Sequence, residues 1–158
     1  MPNLKQKFRR AKHIPAKSER IDYRKPGDSI GVRYNTPLEA VKLVKSGLSF
    51  STIGRLQRTS GLTRERIKQV TRISEGSLAR RKATGRLSLA ESEGLLRLSR
   101  VFERATSLYD GDQRGAVQWL ETPIPTLDNQ RPLDLAQTEP GAREVEDLIG
   151  RIEHGIVS

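Results

Sequence analysis

LTRERIKQVTRISEGSLARRKATG, residues 62–85, reads as a helix, a tight turn and a second helix. Thr63 opens the first member, with Ile67 and Val70 inward, and Ser74 opens the second, with Leu78 inward. In a helix-turn-helix the second member enters the major groove, where its first residues meet base edges and flanking residues take phosphates. On that geometry Glu75, Ser77 and Arg81 face bases, and Thr63, Arg64, Arg80 and Lys82 clamp the backbone. Arginine is the usual bidentate partner of guanine. The pair departs from the common pattern by placing Lys68 where a small residue is usual and Arg72 where the turn ordinarily holds glycine.

Outward from this pair the helical period continues in both directions. Upstream, Thr36 is an N-cap and Pro37 suits the first helical position, with Leu38, Val41, Leu43 and Val44 at helical spacing until Gly47. A second helix is expected over about 49–58, with Phe50, Ile53 and Leu56 as its apolar side. Downstream, Ser88 and Glu91 form a capping box ahead of SEGLLRLSRVFERATSLY, residues 92–109. Leu95, Leu98, Phe102, Ala105 and Tyr109 recur there at steps of three and four, and Leu96, Val101 and Leu108 widen the stripe. This helix therefore meets core on more than one side. Gly94 inside it costs about 1 kcal/mol against alanine.

Asp112 caps a short helix carrying Trp119 as a core anchor, the stretch TPIPTLDNQRP is loop chemistry, and a last helix spans about 139–154. Val145, Leu148, Ile149 and Ile152 form its apolar face, and Gly155 stops it. No strand-like alternation appears, so the chain reads as all-α. Arg97, Arg100 and Arg104 share the long helix with Glu93 and Glu103 and are expected in surface pairs at three- and four-residue spacing.

Charge divides the chain. Residues 1–87 hold 22 Lys/Arg against 6 Asp/Glu, and residues 88–158 hold 7 against 13. A surface that basic suits a polyanion, whose condensed counterions it displaces. Residues 1–35 read as a basic arm whose composition buries too little apolar area to order by itself. Residues 36–86 then form the helix-turn-helix module, and residues 87–158 a second helical domain.

Inventory argues against catalysis. There is no cysteine, the only histidines are His13 and His154, and no glycine-rich phosphate loop is present, so no metal site and no cofactor are expected. No apolar run approaches the roughly 18 residues of a membrane span. A soluble cytoplasmic protein is the expectation.

Residues 86–105, RLSLAESEGLLRLSRVFERA, and 116–158, AVQWLETPIPTLDNQRPLDLAQTEPGAREVEDLIGRIEHGIVS, resemble the toxin-binding half of the Xre/MbcA/ParS family of bacterial antitoxins. The resemblance covers about 80–158 and extends weakly back to Thr36. It implies a type II toxin–antitoxin system: a cognate RES-domain toxin that consumes NAD, by hydrolysis or ADP-ribosyl transfer, and autoregulation through an Xre-like module on promoter DNA. Chain positions 94, 128–129 and 136 depart from the family, with Asp128-Asn129 replacing a more usual Gly-Gly and Ala136 a common leucine.

Under that resemblance Arg100, Asp147, Arg151, Glu153 and His154 are the expected toxin contacts. The tip Gly155, Ile156, Val157 and Ser158 would cover the NAD pocket. A homodimer within a larger even-numbered complex is expected, because dimeric readers match palindromic half-sites. The other reading is a stand-alone helix-turn-helix transcription regulator with a C-terminal oligomerisation or sensing domain, and an adjacent reading frame for a RES-domain protein separates the two.

Overall fold

In the computed structural model, residues 25–156 are described. Most of the expected basic arm, and Val157 and Ser158 of the expected tip, lie outside the described residues. Among the described residues eight α-helices follow one another: α1 (Pro37–Ser46), α2 (Ser51–Ser60), α3 (Arg64–Thr71), α4 (Glu75–Thr84), α5 (Leu89–Leu108), α6 (Gln113–Leu120), α7 (Pro132–Leu135) and α8 (Glu139–Glu153). Six of the eight starts are set by side-chain caps: Thr36, Thr63, Ser74, Ser88, Asp112 and Thr138 each accept from the backbone N–H three residues on. The capping box is complete, since Glu91 N–H donates to Ser88 Oγ at 3.2 Å and Ser88 N–H to Glu91 Oε2 at 2.8 Å. The all-α architecture is therefore as the sequence indicates.

Helix α5 is the axis. It packs against α1, α2, α3, α6 and α8, and Leu95, Leu98, Val101, Phe102 and Ala105 on it are wholly buried. The apolar core runs without a break from Ile30 to Ile152. Residue 87 thus marks a change of surface charge, while the core continues across it. Gly94 has its explanation here: a Cβ would lie 3.0 Å from the Thr71 carbonyl, so the glycine lets α3 and α5 approach closely.

The segment 25–35, assigned by sequence to the arm, is part of the fold. Ser29 and Ile30 are buried, and the Ser29 carbonyl accepts from Thr59 Oγ1 at 2.8 Å. Glu103, expected in a surface pair, is buried beneath this segment. It accepts from Gly27 N–H at 3.1 Å, from Ser29 N–H at 2.9 Å and from Ser29 Oγ at 2.6 Å. Burial raises the pKa of its carboxyl in spite of these donors.

Arg72 ends α3 at φ 60 and ψ 33, in the left-handed region. That conformation costs a non-glycine residue about 1–2 kcal/mol, and glycine's greater unfolded freedom returns only about 0.4–1 kcal/mol of the gain. Arg72→Gly is therefore expected to stabilise the fold by about 0.5–1 kcal/mol, read as a higher urea midpoint at unchanged slope. A lower midpoint would show that the Arg72 side chain supports the turn.

Candidate functional site

Helix α4 stands away from the core. It is held by the buried Leu78, by Arg81 at 2.9 Å from Glu91 on α5, and by the Gly85 carbonyl, which accepts from Phe50 N–H at 2.9 Å. Its outward face carries Gly76, Ala79, Arg80 and Ala83, all exposed, and a Cβ at Gly76 would meet nothing within 4 Å. Small residues at helical spacing leave a narrow face on which the backbone can approach a groove floor. Sequence reasoning passed over Gly76, Ala79 and Ala83 because it looked for polar readers; their spacing on one face was the available signal.

The expected DNA contacts separate into two groups. Arg64, Arg80 and Lys82 are exposed, and none forms an ion pair among the described residues. Arg80 donates to Ser77 Oγ at 3.1 Å, and Thr63 is exposed at the N-cap of α3. Glu75 and Arg81 are engaged elsewhere. Glu75 pairs with Lys68 of α3, which keeps its carboxyl below its ordinary pKa. Arg81 is half-buried against Glu91. Burial pushes the Glu91 carboxyl up, but the Ser88 donors and the Arg81 guanidinium outweigh it and hold the pKa below the ordinary value. Arg81 thus ties α4 to the start of α5.

The expected toxin contacts are likewise divided. Asp147, Arg151 and His154 lie exposed on one face of α8. Glu153 is next to them and pairs with Arg104 of α5 at 3.2 Å. Gly155 has φ 73 and turns the chain out of the helix, leaving Ile156 63% exposed. Arg100 sits apart from this end. Its guanidinium spans Glu146 at 2.7 Å and Glu139 at 2.8 Å, and these ties outweigh burial in raising its pKa. Seven residues of helix, about 10 Å, separate Glu146 from Glu153, so Arg100 braces α5 against the first half of α8.

A groove of about 320 Å³ runs between α1 and α5, with Val41, Val44, Leu89 and Leu96 on its walls and Lys45 and Glu139 at its edges. The sequence places Leu38 and Val41 on the inward side of α1, yet they are 74% and 46% exposed. Periodicity marks an apolar face without saying whether this chain covers it. Among the described residues no set of three His, Cys, Asp or Glu side chains is placed to hold a metal ion, and no helix is long and apolar enough to cross a membrane.

Comparison with known families gives two matches along the chain. Residues 39–100 match the family model described as the antitoxin Xre-like helix-turn-helix domain, and residues 104–155 match that of the antitoxin Xre/MbcA/ParS C-terminal toxin-binding domain. The chain is 38% identical over 130 residues to a protein named Antitoxin Xre from Yersinia enterocolitica, covering 82% of this chain and 88% of that one. It is 36% identical over 117 residues to another Antitoxin Xre, from Photorhabdus laumondii, covering 73% and 79%.

Proposed function

This chain belongs to the Xre/MbcA/ParS antitoxin family, and we infer that it neutralises a RES-domain toxin that consumes NAD and represses its own operon by binding promoter DNA. The observation that carries this reading is the placement of two unlike surfaces on one core. The outward cations of α4 have no acidic partner among the described residues, while α8 presents the exposed carboxylate of Asp147 and ends in an apolar-tipped projection. The first surface suits phosphates and base edges. The second suits a nucleotide-binding cleft, whose cationic groups and helix N-termini receive pyrophosphate and attract carboxylates.

On this reading Ile156 and Val157 enter the toxin's NAD pocket, and Asp147, Arg151 and His154 contact its rim. A homodimer brings two α4 helices to two half-sites, and the exposed Leu38, Val41 and Leu89 offer apolar area for it. Co-expression with the adjacent reading frame tests the assignment. The partner is expected to co-purify, and cellular NAD to fall when that partner is expressed alone; level NAD and no co-purification would overturn the reading.

Deleting residues 155–158 isolates the tip. Burying two aliphatic side chains contributes about 1.5 kcal/mol or more each, so the deletion is expected to raise the concentration needed to inhibit the toxin about 100-fold. Full inhibition by the truncated chain would move the inhibitory contact elsewhere on α8.

A further inference from the structure

Two of the three side chains expected to face bases are used by the fold. Glu75 is paired with Lys68 of α3, and Arg81 is held at 2.9 Å from Glu91 of α5. Arg80 is the arginine left on the outward face of α4. It follows the buried Leu78 by two residues, about 200° of helix, and so stands on the opposite side.

The direction of its side chain is also set. Side chains on a helix lean toward the N-terminus and lie over the preceding turn, and Arg80 does so, with Nη2 donating to Ser77 Oγ at 3.1 Å. Ser77 is itself fixed, because its N–H donates to Ser74 Oγ at 3.1 Å and its Oγ accepts from Ser74 Oγ at 3.0 Å. The cap that starts α4 therefore holds the guanidinium through one intervening hydroxyl. The other N–H groups of the fork have no acceptor among the described residues.

Gly76 stands four residues before Arg80, on the same face. Neither a positive φ nor crowding requires glycine there, since a Cβ would meet nothing within 4 Å. Glycine is the poorest helix former after proline, so the fold gains nothing from it. What the missing side chain leaves is room beside the Arg80 guanidinium along the first turn of the helix.

We propose that Arg80 is the specificity-determining residue, making a bidentate contact to O6 and N7 of one guanine in each half-site, with Ser77 as its positioning residue and Gly76 as the gap that admits the contact. This rests on the reading above, in which α4 meets promoter DNA, and it replaces the phosphate role that the sequence suggests for Arg80. A phosphate clamp needs no such preparation, whereas a base edge is met by a fork of fixed plane and direction. Guanine is the base that fits, because arginine only donates and guanine offers two acceptors on its major-groove edge, where adenine offers one acceptor and one donor.

The test uses the full-length protein and a duplex from upstream of its own reading frame. Kd is measured for that duplex and for its single-base-pair variants. The wild type should prefer one G·C pair in each half-site by about 5- to 150-fold over the other three pairs. Arg80→Lys, which keeps the charge and loses the fork, should bring the four pairs at that position to within about twofold of one another and leave discrimination elsewhere intact. Ser77→Ala should reduce discrimination at that position alone, and Ser77→Thr, which keeps the hydroxyl, should restore it. Gly76→Leu should raise the urea midpoint while lowering the same discrimination, opposite effects that general damage to the fold does not produce.

Arg80→Lys and Arg80→Ala chains that weaken every duplex by one common factor would make Arg80 a phosphate clamp and overturn the proposal. Ser77→Ala or Gly76→Leu chains that read the pair as the wild type does would overturn it as well. A wild-type protein that binds promoter and unrelated DNA equally overturns the underlying reading instead.

Discussion

Glutamate at both Arg80 and Lys82 is expected to weaken promoter binding by at least about 100-fold, with toxin inhibition changed less than about twofold. Both side chains are exposed on α4 and have no acidic partner among the described residues. Each lost phosphate or base contact costs about 1–3 kcal/mol, and reversal adds repulsion from the phosphates to that loss. The dependence of binding on salt should also flatten, by about one unit of slope for each phosphate contact removed. Arg81 is a different case despite its place beside them: it holds the capping-box Glu91 at 2.9 Å. Arg81→Glu would set two carboxylates together at the start of α5, and promoter and toxin binding should fall together with thermal stability. Unchanged promoter binding by the Arg80/Lys82 double variant would place the DNA surface elsewhere.

What the sequence discloses and what it conceals follow from the range of the interactions. Caps act over three residues, and Thr36, Thr63, Ser74, Ser88 and Asp112 mark helix starts in the bare sequence as they do in the structure. Periodicity likewise orients α5 correctly. Partners distant along the chain are another matter: Glu103 meets Ser29 across 74 residues and Arg66 meets Glu121 across 55. Local spacing suggests solvated pairs for such residues, since nothing in a single sequence says which distant loop will arrive.

Two departures from the family pattern become legible only with backbone angles. Asp128 and Asn129 stand where Gly-Gly is more usual because both positions need positive φ, which Asp and Asn tolerate better than most residues. Gly94 stands in a helix interior because α3 lies against it. The exposed face of α1 is the converse failure, for an apolar pattern was present and none of the described residues covers Leu38. The candidate site shows the same limit. The exposed cations of α4 were visible in the sequence, but the diversion of Arg81 to Glu91 and of Arg100 to Glu139 and Glu146 depended on packing.

Phe102→Ala is expected to cost about 3–5 kcal/mol, a large part of the roughly 5–15 kcal/mol that holds a domain folded, and to weaken both binding activities together. The side chain is wholly buried on α5. Phe102 also lies between the segments matched as helix-turn-helix, 39–100, and as toxin-binding domain, 104–155. If the halves were independent modules, truncation here would damage the nearer one and spare the other. With one core from Ile30 to Ile152, the cavity removes support from every helix packed on α5. Urea unfolding separates these outcomes, because Trp119, the single tryptophan, reports on α6, while far-ultraviolet circular dichroism reports on all the helices. Coincident transitions in wild type and variant, shifted together, are the signature of one cooperative unit. Fluorescence that lags the dichroism, with promoter binding lost before toxin binding, would show that α5 joins two units that fold separately.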